Sequence, residues 1–145
     1  MVGRICPGTD LVPGILAMCA QAGICYGYVA SLIGSLAGVR FIYVRRDPAA
    51  ALGASYVDPV ERVGPFELLG AQGTLGTNGD GSAVLHLHAL FCDQDNHVFG
   101  GHVLDSGNPV LATVEVAVRE TQGVRMVRGP DEETGFSLFS ILGGH

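Results

Sequence analysis

Two rhythms run along this chain. Over residues 11–22, Leu11, Ile15, Met18, Cys19 and Ala22 fall at i, i+4, i+7, i+8 and i+11, the apolar stripe of one helix face. Thr9 or Asp10 can cap its start. Pro13 still falls in the first turn, where its missing N–H costs least, and Gly23 suits a left-handed stop. From Ile24 onward the pattern is extended. It predicts strands over Ile24–Ile33, Val39–Arg45, Phe66–Leu75, Ala83–Cys92, His97–Leu104, Val110–Glu120, Val124–Val127 and Phe136–Leu142, with a short one at Arg4–Pro7 before the helix. Gly34–Gly38, Asn78–Gly81, Asp93–Asn96 and Asp105–Asn108 read as turns. Asp47–Pro59 reads as a loop and Pro130–Thr134 as a polar linker. One helix followed by many strands predicts an α+β fold, a single domain over residues 1–145. Its body is a mostly antiparallel sheet or part-barrel with the N-terminal helix packed on one face.

One strand carries chemistry. In Val84-Leu85-Leu87-Ala89-Phe91 country the chain places His86 and His88 two residues apart. Alternate side chains share a face, so Val84, His86, His88, Leu90 and Cys92 lie on one side and Leu85, Leu87, Ala89 and Phe91 make an apolar face on the other. The two imidazoles point the same way, roughly 7 Å apart along the strand. If residues 94–96 form a three-residue loop, Asp93 pairs with His97 and His88 sits opposite His102. If the loop is one residue longer, His102 turns away unless a bulge at Gly100-Gly101 restores it. Three imidazoles converging from adjacent strands suit a divalent transition metal with an open position for water or a substrate oxygen. The spacing alone is equally that of polar lining on a strand. His97 and His145 are expected to be solvent-exposed bystanders.

Glu115, inside the apolar run Val114–Val118, and Glu67, in Gly64-Pro65-Phe66-Glu67-Leu68-Leu69, are the candidate acids or bases. Glu115 shares a face with Thr113 and Ala117 and is equally read as the polar side of a half-buried strand, and Glu67 raises the same question; if buried, either carboxylate needs a partner such as an arginine or one of the histidines.

Composition narrows the classes. All eight positive residues are arginine against fourteen carboxylates, for a net charge of −6. With no lysine, Schiff-base chemistry and a P-loop lysine are excluded, and an acidic chain is a poor nonspecific DNA binder. The groups Arg40, Arg45, Arg46 and Arg119, Arg125, Arg128 read as solvated strand ends. Residues 11–39 carry no charge, yet Pro13, Gly14, Gln21 and four further glycines divide them, which favours a buried helix and strand over a membrane span. The four cysteines form no CxxC, and Arg4, Pro7 and Asp10 interrupt any leader, so reduced thiols and a cytoplasmic protein are expected. Hydrophobic residues make up 48% and charged ones 15%, a balance that suits apolar surface covered by another subunit.

In order along the chain stand Pro7-Gly8-Thr9-Asp10-Leu11, Gly34-Ser35-Leu36, Gly64–Leu69, Gly73-Thr74-Leu75, His86-Leu87-His88, Asp93–Asn96, Gly100-Gly101-His102, Glu115, and Arg128 before Asp131–Gly135. This order resembles the plants-and-prokaryotes-conserved (PPC) domain, over Arg4 to about Phe139. The resemblance implies an α+β fold, a homotrimer, and a metal, zinc first among candidates, held by His86, His88 and His102. It also carries a DNA-binding label, which in plant members rests on an AT-hook preceding the domain. This chain contains no Arg-Gly-Arg-Pro motif of that kind. Three functions follow as expectations: a trimeric metal-site protein that binds or transforms a small molecule, with Glu115 or Glu67 as acid or base; a self-assembling protein-interaction module; and a DNA-binding regulator. Whether it is an enzyme is left open.

Overall fold

A computed structural model describes residues 1–143; His145 lies outside them. The elements in chain order are β1 (Val2–Ile5), α1 (Leu11–Gln21), β2 (Gly27–Ile42), β3 (Val44–Arg46), β4 (Ala54–Tyr56), β5 (Val60–Asn78), β6 (Ala83–Cys92), β7 (Val98–Val103), β8 (Val110–Glu120), β9 (Val124–Pro130) and β10 (Ser137–Gly143). The protein is mostly antiparallel sheet with one helix, an α+β fold. Its main sheet runs β1-β8-β2-β7-β6-β5-β9-β10, and β2 also pairs with β5. The pairs β2–β5, β5–β6, β6–β7 and β7–β2 thereby close a four-stranded ring. One contact departs from the antiparallel expectation: β9 runs parallel to β5 at Thr77↔Val127 and Asn78↔Arg128.

The helix forms as its pattern predicts. Leu11, Val12, Gly14, Ile15 and Cys19 are its buried face, and Gly14 is bare because a Cβ there would press on Ile5 and Thr9. Ala22, expected in the stripe, is exposed. Gly23 adopts φ 71°. Its N–H donates to Ala20 and the Ile24 N–H to Cys19, the paired bonds of a Schellman stop. Asp10 occupies the N-cap position without a side-chain cap bond. Its carboxylate instead accepts from the Gly107 and Asn108 N–H groups, at 2.7 and 3.2 Å, which ties the helix start to the β7–β8 connection.

Two long strands replace the expected turn and shorter strands. Residues 34–38 lie inside β2, and β5 extends from Val60 through Phe66–Leu75 to Asn78. Gly34 permits close approach rather than reversal: a Cβ there would fall 2.1 Å from the Thr113 carbonyl oxygen. The expected loop 47–59 contains β4, paired with β3. The core fills the space between α1 and the sheet and the interior of the ring, with Phe91, Leu87, Leu85, Leu68, Leu36 and Ile15 at 0–2% exposure. The histidine strand β6 is anchored there by its alternate residues.

Candidate metal centre

The β6–β7 hairpin decides the site. Its connection is the three-residue one: Asp93 N–H donates to the His97 carbonyl at 3.1 Å, Asn96 donates to Asp93, and Asn96 takes φ 62°, the left-handed residue that closes such a loop. The Asp93 carboxylate accepts from the Asp95 and His97 N–H groups at 3.0 and 2.8 Å. Asp93, Asp95 and His97 also approach one another, but the turn already occupies Asp93, and His97 is exposed. With that loop length, His88 pairs directly with His102 and no bulge is required.

His86, His88 and His102 meet on the outer face of the ring, with one ligand nitrogen from each lying within 4.8 Å of the others. The Nε2 atoms of His86 and His88 are 3.0 Å apart. Two imidazole nitrogens on one tetrahedral zinc lie about 3.3 Å apart, from Zn–N distances near 2.0–2.1 Å. His102 is buried at 8% exposure, with Tyr56 of β4 at 6.0 Å and Phe136 on Tyr56 at 5.1 Å between ring centroids. Its Nδ1 is buried without a hydrogen-bond partner, a state that ordinarily costs about 1–3 kcal/mol. Burial, then His86, His88 and Arg128, hold the His102 imidazole down to about 4. Burial, then His88 and Arg128, also lower His86. Neutral imidazole is the form that binds a metal, so an orphaned nitrogen and depressed proton affinities both fit a divalent ion.

The same shift predicts a pH dependence. The His102 pKa is about 4 when folded and about 6.5 in an unfolded chain. Between those values the unfolded chain binds a proton that the folded one does not, so metal-free stability should be full above pH 6.5 and fall towards pH 4. The loss from His102 is roughly 3 kcal/mol at most. Depressed carboxyls, Asp80 and Asp131 among them, act in a separate window, losing their contribution as pH falls below about 4. Urea midpoints measured in chelator at pH 7.5 and 4.5 would check this; equal midpoints would contradict it.

Glu115 and Glu67 are not brought to this cluster. Glu115 is exposed on β8, paired with Arg4 and Ile33. Glu67 is exposed on β5 opposite Cys92, roughly 13 Å along the strand from the His88 level. Pattern reasoning missed a feature beside His88. The strands β2 and β5 pair at Val29↔Gly73 and again at Gly34↔Leu68, but part between. There β2 bulges against β8 near Ala30, and β5 bulges against β6 at Leu69. The opening makes a groove of about 600 Å³ bordered by Ile33, Leu69, Gln72, His88 and Leu90. A second groove, about 570 Å³, runs past Tyr28, Thr74 and His86. Gly70 and Gly73 were the only signal in the sequence. Among the described residues no helix is long and apolar enough to cross a membrane.

A family model described as the Plants and Prokaryotes Conserved (PCC) domain matches residues 1–122. Among curated proteins, the Bifunctional protein GlmU of a Synechococcus strain is 28% identical over 133 residues, which is 92% of this chain. The chain spans about a fifth of the length of the curated relatives it matches, 19% and 18%. A hypothetical protein from Salmonella superposes with TM-score 0.80 at 24% identity, covering 99% of this chain and 92% of that one. A structure described as a metal-containing protein from Archaeoglobus fulgidus gives 0.75 at 25% identity, covering 97% and 91%. One described as a candidate DNA-binding protein from Bacteroides thetaiotaomicron gives 0.76 at 19%, covering 96% and 89%.

Proposed function

The chain belongs to the Plants and Prokaryotes Conserved domain family, and from that premise we propose that it is a metal-centre protein that binds a small molecule beside His86, His88 and His102. The observation carrying this reading is the convergence of three imidazoles, one with a buried, unpartnered nitrogen. Three neutral nitrogen donors leave an open position on a four-coordinate ion. A metal bound there would supply Lewis acidity or a water of lowered pKa. The chain's own residues would admit and orient the ligand: both grooves reach His88, with Gln72 and Thr74 as hydrogen-bonding groups and Leu69 and Leu90 as apolar wall. The metal-containing description of the Archaeoglobus relative supports the reading. Zinc is the metal proposed.

A homotrimer belongs to the same proposal. Ile33, Leu69 and Leu90 are about half exposed, at 50%, 50% and 54%, and border one groove. Apolar surface of that kind favours a subunit boundary. Catalysis by Glu115 or Glu67 would require such a boundary to bring a carboxylate in. Regulation through DNA is the weaker alternative, since a net charge of −6 opposes phosphate binding.

Elemental analysis of untagged protein tests the centre. About one transition metal per chain is expected, lost in His88→Ala while the oligomer persists. Wild-type protein that takes up no metal after dialysis against zinc would overturn the proposal.

A further inference from the structure

A divalent ion held by His86, His88 and His102 would bring positive charge that its three ligands do not neutralise. Neutral imidazoles contribute no charge to a divalent ion, and the cluster holding His86, His88 and His102 contains no carboxylate among the described residues. Arg128 adds a second cation on the same face. Its register partner on β5 is Asn78, and Gln72 and Thr74, two-residue steps back along β5, pair with His88 and His86. Register partners and alternate residues share a face, so Arg128 stands on the side of the sheet that carries the imidazoles.

The ground between them is low. At Gly76, between Thr74 and Asn78, a Cβ would fall 2.3 Å from the Met126 carbonyl oxygen and 2.6 Å from the Phe139 ring. Phe139 is the β10 register partner of Arg128. The Phe139 ring thus reaches Gly76 from the neighbouring hairpin, and Phe139 stands beside the arginine. Arg128 itself is half-buried, and among the described residues no carboxylate forms an ion pair with it.

Resting on the metal reading above, we propose that this centre selects small-molecule oxyanions, carboxylate or phosphate, with one oxygen at the open metal position and Arg128 holding another. A divalent ion and a guanidinium repel each other across a partly dry site. An oxyanion between them turns that repulsion into two attractions, whereas a neutral ligand leaves it in place. The guanidinium fork matches two oxygens of a carboxylate or phosphate. Arg128 lies after residue 122, where the family match ends, on the β9–β10 hairpin.

Cobalt(II) loaded in place of zinc gives a visible spectrum that reports its fourth ligand. Titrated with benzoate and, separately, with inorganic phosphate, the native cobalt protein should change spectrum with at least one of them. Arg128→Gln should weaken that binding roughly 10- to 100-fold and bind cobalt itself as tightly or more tightly, because a like charge has gone. Arg128→Lys, which keeps the charge and loses the fork, should recover part of the anion affinity. Circular dichroism checks that the hairpin variants stay folded. Two results would overturn the proposal while leaving the metal centre standing: a cobalt spectrum indifferent to both anions, or Arg128→Gln binding them as the native protein does. A native protein that takes up no cobalt would overturn the metal reading and the bridged anion with it. Whichever anion perturbs the spectrum separates carboxylate from phosphate ligands.

Discussion

With chelator present, His102→Leu is expected to be more stable than the native protein; with zinc present, the order should reverse. The argument starts from the orphaned Nδ1. Folding strips water from that nitrogen and offers it no partner, at a cost of about 1–3 kcal/mol. A leucine beside Tyr56 and the neighbouring imidazoles carries no such polar atom, so the metal-free variant should recover much of that cost. Zinc binding to the native state alone contributes about 4 kcal/mol at a thousandfold excess over its dissociation constant. The variant, short of one ligand, should gain far less. Chemical denaturation in both conditions reads the crossover directly. A variant less stable than the native protein in chelator would mean that the His102 nitrogen is satisfied without a metal. A variant that keeps its rank on addition of zinc would remove the metal from this site.

Local rules decide β6: period two separates His86 and His88 from Leu85, Leu87 and Phe91, and the structure keeps that division. The helix was legible for the same reason, its stripe and Gly23 being short-range signals. The partner of His88 depended on one loop residue, and the left-handed Asn96 settled it. What could not be read was set by long-range pairing. The glycines of residues 34–38 look like a turn, yet Gly34 is bare because β8 lies against it. Likewise, beyond Gly70 and Gly73 nothing local near Ala30 or Leu69 announces that β2 and β5 part there, since each bulges towards a different neighbour. The parallel contact that puts Arg128 on the same side of the sheet as the histidines joins residues some fifty positions apart, Asn78 and Arg128. In the sequence Arg128 reads as a solvated strand end and as one residue of the family order, and neither reading places it on the histidine face. Glu115 interrupts an apolar run, and of the two readings open in the sequence, a partnered buried carboxylate or the polar side of a half-buried strand, the structure has the second.

Because the two faces of β6 do different work, substitutions one residue apart should separate stability from metal binding. Leu87 is fully buried, at 0% exposure, directly behind the histidines. Leu87→Ala removes side-chain volume from a close-packed region that can only partly collapse, and is expected to cost about 2–5 kcal/mol. For a chain of this size that lowers the melting temperature by roughly 10 °C. Below its transition the variant should still bind about one metal per chain, since the backbone register His88↔His102 does not depend on that side chain. His88→Ala should behave the opposite way. His88 is exposed, so in chelator its loss should change stability by no more than about 0.5 kcal/mol, while metal content falls away. Differential scanning calorimetry with parallel elemental analysis measures both quantities on each variant. Loss of metal by folded Leu87→Ala would mean that core packing aims the imidazoles, and the two faces would then act as one unit. A large stability cost for metal-free His88→Ala would give that imidazole a structural role which its exposure on the outer face of β6 does not explain.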